Sequence, residues 1–135
     1  MVSPLRRAAG QAREVVRSIK ILHAQKCVSI IQSPREVHMA AIHIVWLRFK
    51  DGIGPERMEH HMAACRALVG RVPALLDLKC GASYTNRAGG LTHCVVVTLS
   101  NRESLQAYLD HPVHVPVATA LKADAAELQV MDIEV

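Results

Sequence analysis

The sequence predicts an α+β domain of β-α-β-β-α-β order, the ferredoxin-like split βαβ arrangement, with its second helix broken. Three observations predict it. Stretches of strand character and stretches of helical periodicity follow one another in that order from Met39 onward. A proline, Pro112, interrupts the second helical stretch. The first strand is apolar on both faces, so a sheet with helices on one side still needs cover on the other. In a small domain a second copy of the sheet supplies that cover most simply. The expected assembly is therefore a homodimer whose two sheets enclose a shared interior.

Each element has its own signature. Ile42 to Phe49 carries β-branched and aromatic residues and reads as a strand buried on both sides. Lys50 to Gly54 is a loop, and Pro55 suits the first turn of a helix. Met58, Met62, Cys65, Leu68, Val69 and Val72 recur at helical spacing up to Pro73, with His60 and His61 on the exposed side. Leu76, Leu78, Cys80, Ala82 and Tyr84 alternate, so a second strand is expected over Leu75 to Tyr84. Asn86 to Gly90 is a hairpin-length turn, too short and wrongly framed for a phosphate loop. Thr92 to Leu99 is a Val-rich third strand. Ser100 and Glu103 stand at capping-box spacing, so a helix should begin there and stop near Pro112. A second helical piece is expected over Val113 to Ala126, and Leu128 to Val135 alternates as the closing strand.

Length and composition bound the rest. At 135 residues the chain holds one domain with a real core. Aromatics are only 3%, so that core must be built from Val, Leu, Ile, Ala and Met. No apolar run approaches the roughly 18 residues of a membrane span, so no membrane partner is expected. The net charge of +4 is unevenly placed. Residues 1–38 carry +5, and residues 39–135 carry −1. The domain thus lacks an electrostatic footprint for phosphate, and no nucleic acid is expected as partner. Residues 1–38 read as a basic N-terminal extension, disordered or a loose helix, and dispensable for the fold; residues 39–135 read as the domain. Cys27, Cys65, Cys80 and Cys94 form no Cys-x-x-Cys pair and no common zinc pattern. They read as reduced thiols in a cytoplasmic protein. Neither metal nor cofactor is expected.

The chemistry-bearing stretch is Tyr108-Leu109-Asp110-His111-Pro112-Val113-His114. Histidine exchanges protons near neutral pH, and a Tyr hydroxyl donates to a substrate oxygen. The plainer reading competes at every position. His111 stands at a helix end, where an imidazole caps carbonyls and complements the dipole, and that accounts for it without catalysis. Tyr108 and His114 read as lining a pocket, against packing at the core. His43 opens a buried strand and needs a hydrogen-bond partner, which need not be a substrate. His111 and His114 are three apart, but the proline between them disfavours their sharing a metal ion.

The stretch "IHIVWLRFKDG" before a helix, with "SLQAYLDHPVHVPV" and a final "MDIEV", resembles the stress-responsive A/B barrel (Dabb) family. The resemblance covers about residues 41–135. It implies a dimeric α+β barrel with a small cavity in each subunit. Most members have no established chemistry, but a plant member closes a linear polyketide by a cofactor-free intramolecular aldol reaction. On matching positions its working side chains become His43, Tyr108, His111 and His114. The resemblance thus implies His114 as general base, Tyr108 as donor to the developing enolate oxygen, and His43 as the group that orients His114 or binds a substrate oxygen. As an enzyme the protein would be a cofactor-independent lyase or cyclase acting on a small organic ligand in an apolar pocket. Otherwise it is a non-catalytic stress-response dimer, binding or structural, whose His/Tyr cluster holds the helix break against the sheet.

Overall fold

The computed structural model describes residues 39–135. The expectations for the basic extension and for Cys27 lie outside the described residues. The elements are β1 (Ala41–Phe49), α1 (Pro55–Arg66), β2 (Leu75–Ala82), β3 (His93–Leu99), α2 (Ser104–Leu109), α3 (His114–Asp124) and β4 (Ala125–Glu134). The four strands form one sheet in the order β2-β3-β1-β4, and every neighbouring pair is antiparallel. This is the ferredoxin-like α+β arrangement, with the second helix divided as Pro112 predicts.

Strand alternation sorts the sheet into two unlike faces. Ala41, His43, Val45, Leu47 and Phe49 of β1 face the helices; Ala41, His43, Leu47 and Phe49 are buried. In register beside them stand Leu99, Val97 and Val95 of β3, and Asp132, Val130 and Leu128 of β4. Met62, Cys65, Leu68, Tyr108 and Leu121 complete the core from the helical side. The other face carries Ile42, Ile44 and Trp46, flanked by Val96 on β3 and by Met131 and Ile133 on β4. No described helix covers it, and Met131 and Ile133 remain 48% and 43% exposed.

Local chemistry sets the element ends, and some differ from expectation. Helix α1 starts at Pro55 and stops at Arg66, earlier than its periodicity suggests. The chain then turns, with Gly70 at φ +81°, a conformation costly for any side chain. Leu68 and Val72 stay buried from those turns, so the apolar spacing reported burial and not helix. β2 ends at Ala82, and Tyr84 is fully exposed in the hairpin. The Ser100–Glu103 box is not the cap of α2. Asn101 Oδ1 accepts from the Ser104 backbone N–H at 2.9 Å, and the helix begins there. β4 follows α3 with no loop, three residues earlier than its alternation indicates.

Candidate active site

A cavity of about 250 Å³ lies between the helical face of the sheet and helices α2 and α3. His43, Tyr108 and His114 all line it, beside the apolar side chains of Val45, Val97, Val117 and Leu121. Three residues spread over 72 positions of sequence thus meet at one hollow.

β1 delivers His43. The strand's period of two puts it on the helical face, in register with Val97 on one side and Asp132 on the other. His43 Nδ1–H donates to Asp132 Oδ1 at 2.6 Å. A carboxylate on Nδ1 fixes the tautomer that leaves Nε2 with its lone pair. Asp132 was not singled out from sequence. The available signal was an acidic residue at an apolar phase of the β4 alternation, but only the pairing of β4 with β1 assigns it a partner.

The helix break delivers His114. Tyr108 and Leu109 close α2, and the chain turns through Asp110, His111 and Pro112. The Val113 N–H turns to His111 Nδ1, at 3.2 Å. The Leu109 carbonyl instead accepts from His114 Nδ1–H at 3.1 Å. This bond again leaves Nε2 as the basic nitrogen. Burial holds the pKa of His114 below the ordinary imidazole value, while the Leu109 bond pulls the other way. At neutral pH the ring is therefore the uncharged form, able to accept a proton.

Tyr108 is 2% exposed and lies between the two imidazoles. Its ring is centred 4.2 Å from His114 and 5.9 Å from His43. Burial, and secondarily the nearby Cys65, push its phenol pKa well above the ordinary value. It stays protonated, a donor throughout the physiological range. Cys65 also lines the cavity, its thiol pushed up to about 11 chiefly by burial, so thiolate chemistry is suppressed.

His111 does not line the cavity. Its ring accepts from Val113, and its carbonyl accepts from the N–H groups of His114 and Val115 at 2.9 and 3.0 Å. It joins α2 to α3. His61, expected on the surface with His60, is instead buried at 2% exposure. It stacks on Phe49 and donates from Nε2 to Asp124 Oδ2 at 2.6 Å. His93 packs edge-on against the same Phe49, at 4.9 Å. Among the described residues no group of three His, Cys, Asp or Glu side chains is placed to hold a metal ion. None of the described helices is long and apolar enough to cross a membrane.

Comparison with known proteins adds the lineage. The profile of the Stress responsive A/B Barrel Domain (Dabb) matches residues 42–135. Olivetolic acid cyclase of Cannabis sativa is 33% identical over 96 residues, covering 70% of this chain and 95% of that protein. The stress-response A/B barrel domain-containing protein HS1 of Arabidopsis thaliana is 29% identical over 92 residues, covering 67% and 84% of the two chains. Among solved structures, a dimeric ferredoxin-like protein of unknown function from Thermobifida fusca superposes with a TM-score of 0.66. It is 25% identical, and the match covers 73% of this chain and 93% of that one. With the fold, the broken helix and the paired sequence elements all in agreement, the chain belongs to the stress-responsive A/B barrel (Dabb) family.

Proposed function

We propose that this protein is a homodimer that binds a small organic molecule in the cavity of each subunit and acts on it as a cofactor-free cyclase or lyase of the aldol type. The carrying observation is that His43, Tyr108 and His114 converge on one open cavity whose other walls are mostly apolar. His114 Nε2 takes a proton from carbon next to a substrate carbonyl. The electron pair moves onto the carbonyl oxygen, and the Tyr108 hydroxyl donates to that enolate. The enolate carbon attacks a second carbonyl of the same molecule, forming a C–C bond. The proton held on His114 then neutralises the new alkoxide. His43, oriented by Asp132, holds a substrate oxygen or the His114 ring.

The similarity to a protein named as a cyclase supports this reading. The uncovered apolar face of the sheet and the dimeric state of the Thermobifida fusca protein support the homodimer. Free Cys65, Cys80 and Cys94 fit a reducing compartment, the cytoplasm. The competing reading, a binding or structural dimer without chemistry, draws on His43, whose Nδ1 is satisfied inside the protein.

A thermal-shift ligand screen followed by His114→Ala and Tyr108→Phe tests the site. Both variants should lose affinity for the best hit, and His114→Ala should cost ~10²–10⁴-fold in turnover of any substrate found. Wild-type binding by both variants overturns the site; unchanged turnover in His114→Ala removes His114 as the base, and binding without turnover of any bound ligand leaves only the non-catalytic reading. Light scattering tests the assembly, and a monomer at micromolar concentration removes the dimer.

A further inference from the structure

The cavity has one charged wall residue that the proposed chemistry does not use. Lys122 lies in the last turn of α3, eight residues after His114 on the same helix, and lines the cavity. It is the only Lys or Arg among the described residues to do so. Among the described residues it forms no ion pair with a carboxylate. Asp132, the single acid among the described residues of the cavity wall, is bonded to His43 at 2.6 Å. Asp124, two residues further on, is taken by His61 and Arg57.

The two charges stand toward opposite ends of the hollow. Asp132 lies beside His43 near the start of β1, while the carbonyl of Asp124 accepts from Lys50, just past the end of β1. Eight residues of helix separate the Cα atoms of His114 and Lys122 by about 12 Å along the axis. A helical side chain leans toward the N-terminus, so the Lys122 stem folds back along the cavity wall. Its charge is felt at His114, where it disfavours a second positive charge.

We propose that Lys122 is a specificity-determining residue: it selects ligands with an apolar body and a carboxylate at the end remote from the reacting carbon. This rests on the reading of the cavity as the ligand site. The apolar walls accept the body of the molecule, and the carboxylate pairs with Lys122. His114, in its neutral form, and His43 meet the polar groups at the other end. The separation sets the length: the carboxylate stands one to two helical turns from the atom His114 addresses.

Octanoate and octan-1-ol are matched probes, one charged and one not. Calorimetry at pH 7.5 and low salt should show wild type binding octanoate about two- to fivefold more tightly than octan-1-ol, the scale of an exposed ion pair. Raising the salt should shrink the difference. Lys122→Met should bind both probes equally, at the octan-1-ol affinity of wild type, and Lys122→Arg should retain the preference. Equal binding of the two probes by wild type, or a preference that survives Lys122→Met, overturns the role of Lys122. In that case octan-1-ol binding that falls in Tyr108→Phe and His114→Ala shows that the cavity reading stands without it. Binding of neither probe at millimolar concentration overturns both.

Discussion

Two histidine–aspartate pairs of equal length occupy this domain, and they do different things. His43 meets Asp132 at 2.6 Å, and His61 meets Asp124 at 2.6 Å. Both imidazoles are buried and both face the helical side of the sheet or pack against it. What differs is the far side of each ring. His61 lies flat on Phe49, centroids 5.6 Å apart, and its carboxylate partner also accepts from Arg57 Nε at 2.7 Å. That pair ties α1 to the end of α3, and the hollow that His61 lines is a separate one, shared with Arg57, His60 and Pro116. His43 has Tyr108 at its edge and the cavity in front of it, and its partner Asp132 is 46% exposed. A His–Asp pair is therefore not a site in itself; what sets His43 apart is that its hollow also brings in Tyr108 and His114.

The largest effect that can break this contrast is a deletion of the packed ring. His61→Ala removes a fully buried side chain between α1, Phe49 and α3, and should cost on the order of 2–4 kcal/mol in urea unfolding. Its binding of cavity ligands should equal that of wild type. A stable His61→Ala variant with weakened binding would mean the two clusters are one.

A smaller effect separates the two carboxylates. Asp124→Asn should lower the melting temperature clearly more than Asp132→Asn, because Asp124 answers both His61 and Arg57. These bonds hold the Asp124 pKa below the ordinary carboxylate value, His61 contributing most and Arg57 next. A depressed folded-state pKa means the contribution is complete above the unfolded value of about 3.9 and fades as pH falls through the lower folded value. The Asp124→Asn penalty should accordingly disappear in strong acid. Differential scanning calorimetry from neutral pH to acid reads both comparisons, and a larger loss in Asp132→Asn at neutral pH would reverse the assignment.

The smallest effect concerns His114. Its folded-state pKa lies below the ordinary imidazole value because burial opposes its charged form. Between that lowered value and about 6.5 the unfolded chain binds more protons than the folded one, so stability falls as pH falls across the window. His114→Gln should flatten the stability profile between pH 7 and 5 relative to wild type. An unchanged slope would mean that the His114 ring does not resist protonation in the folded domain.

Much of this was legible from residue order. The strand and helix succession, the helix break at Pro112 and the two-faced β1 are local patterns, and each appears in the fold. Helix ends were legible less well. Leu68, Val69 and Val72 keep helical spacing, yet the chain around them turns, because Gly70 adopts a left-handed conformation that periodicity does not register. His61 was misread for a related reason. One position beside an exposed His60, it carries no label of its own, and only the sheet behind it, through Phe49, makes it interior.

Candidate chemistry divides in the same way. Residue order placed Tyr108, Pro112 and His114 within seven positions, and hydrophobic patterning put His43 on the face shared with Val45, Leu47 and Phe49. These are consequences of short-range geometry, the periods of a strand and a helix. The tertiary structure alone decided that His43 sits across from Asp132, that the freed Leu109 carbonyl orients His114, and that Lys122 reaches the same hollow. Those relations depend on strand register and helix docking. They arise between segments up to 89 residues apart, where no local pattern constrains the partner.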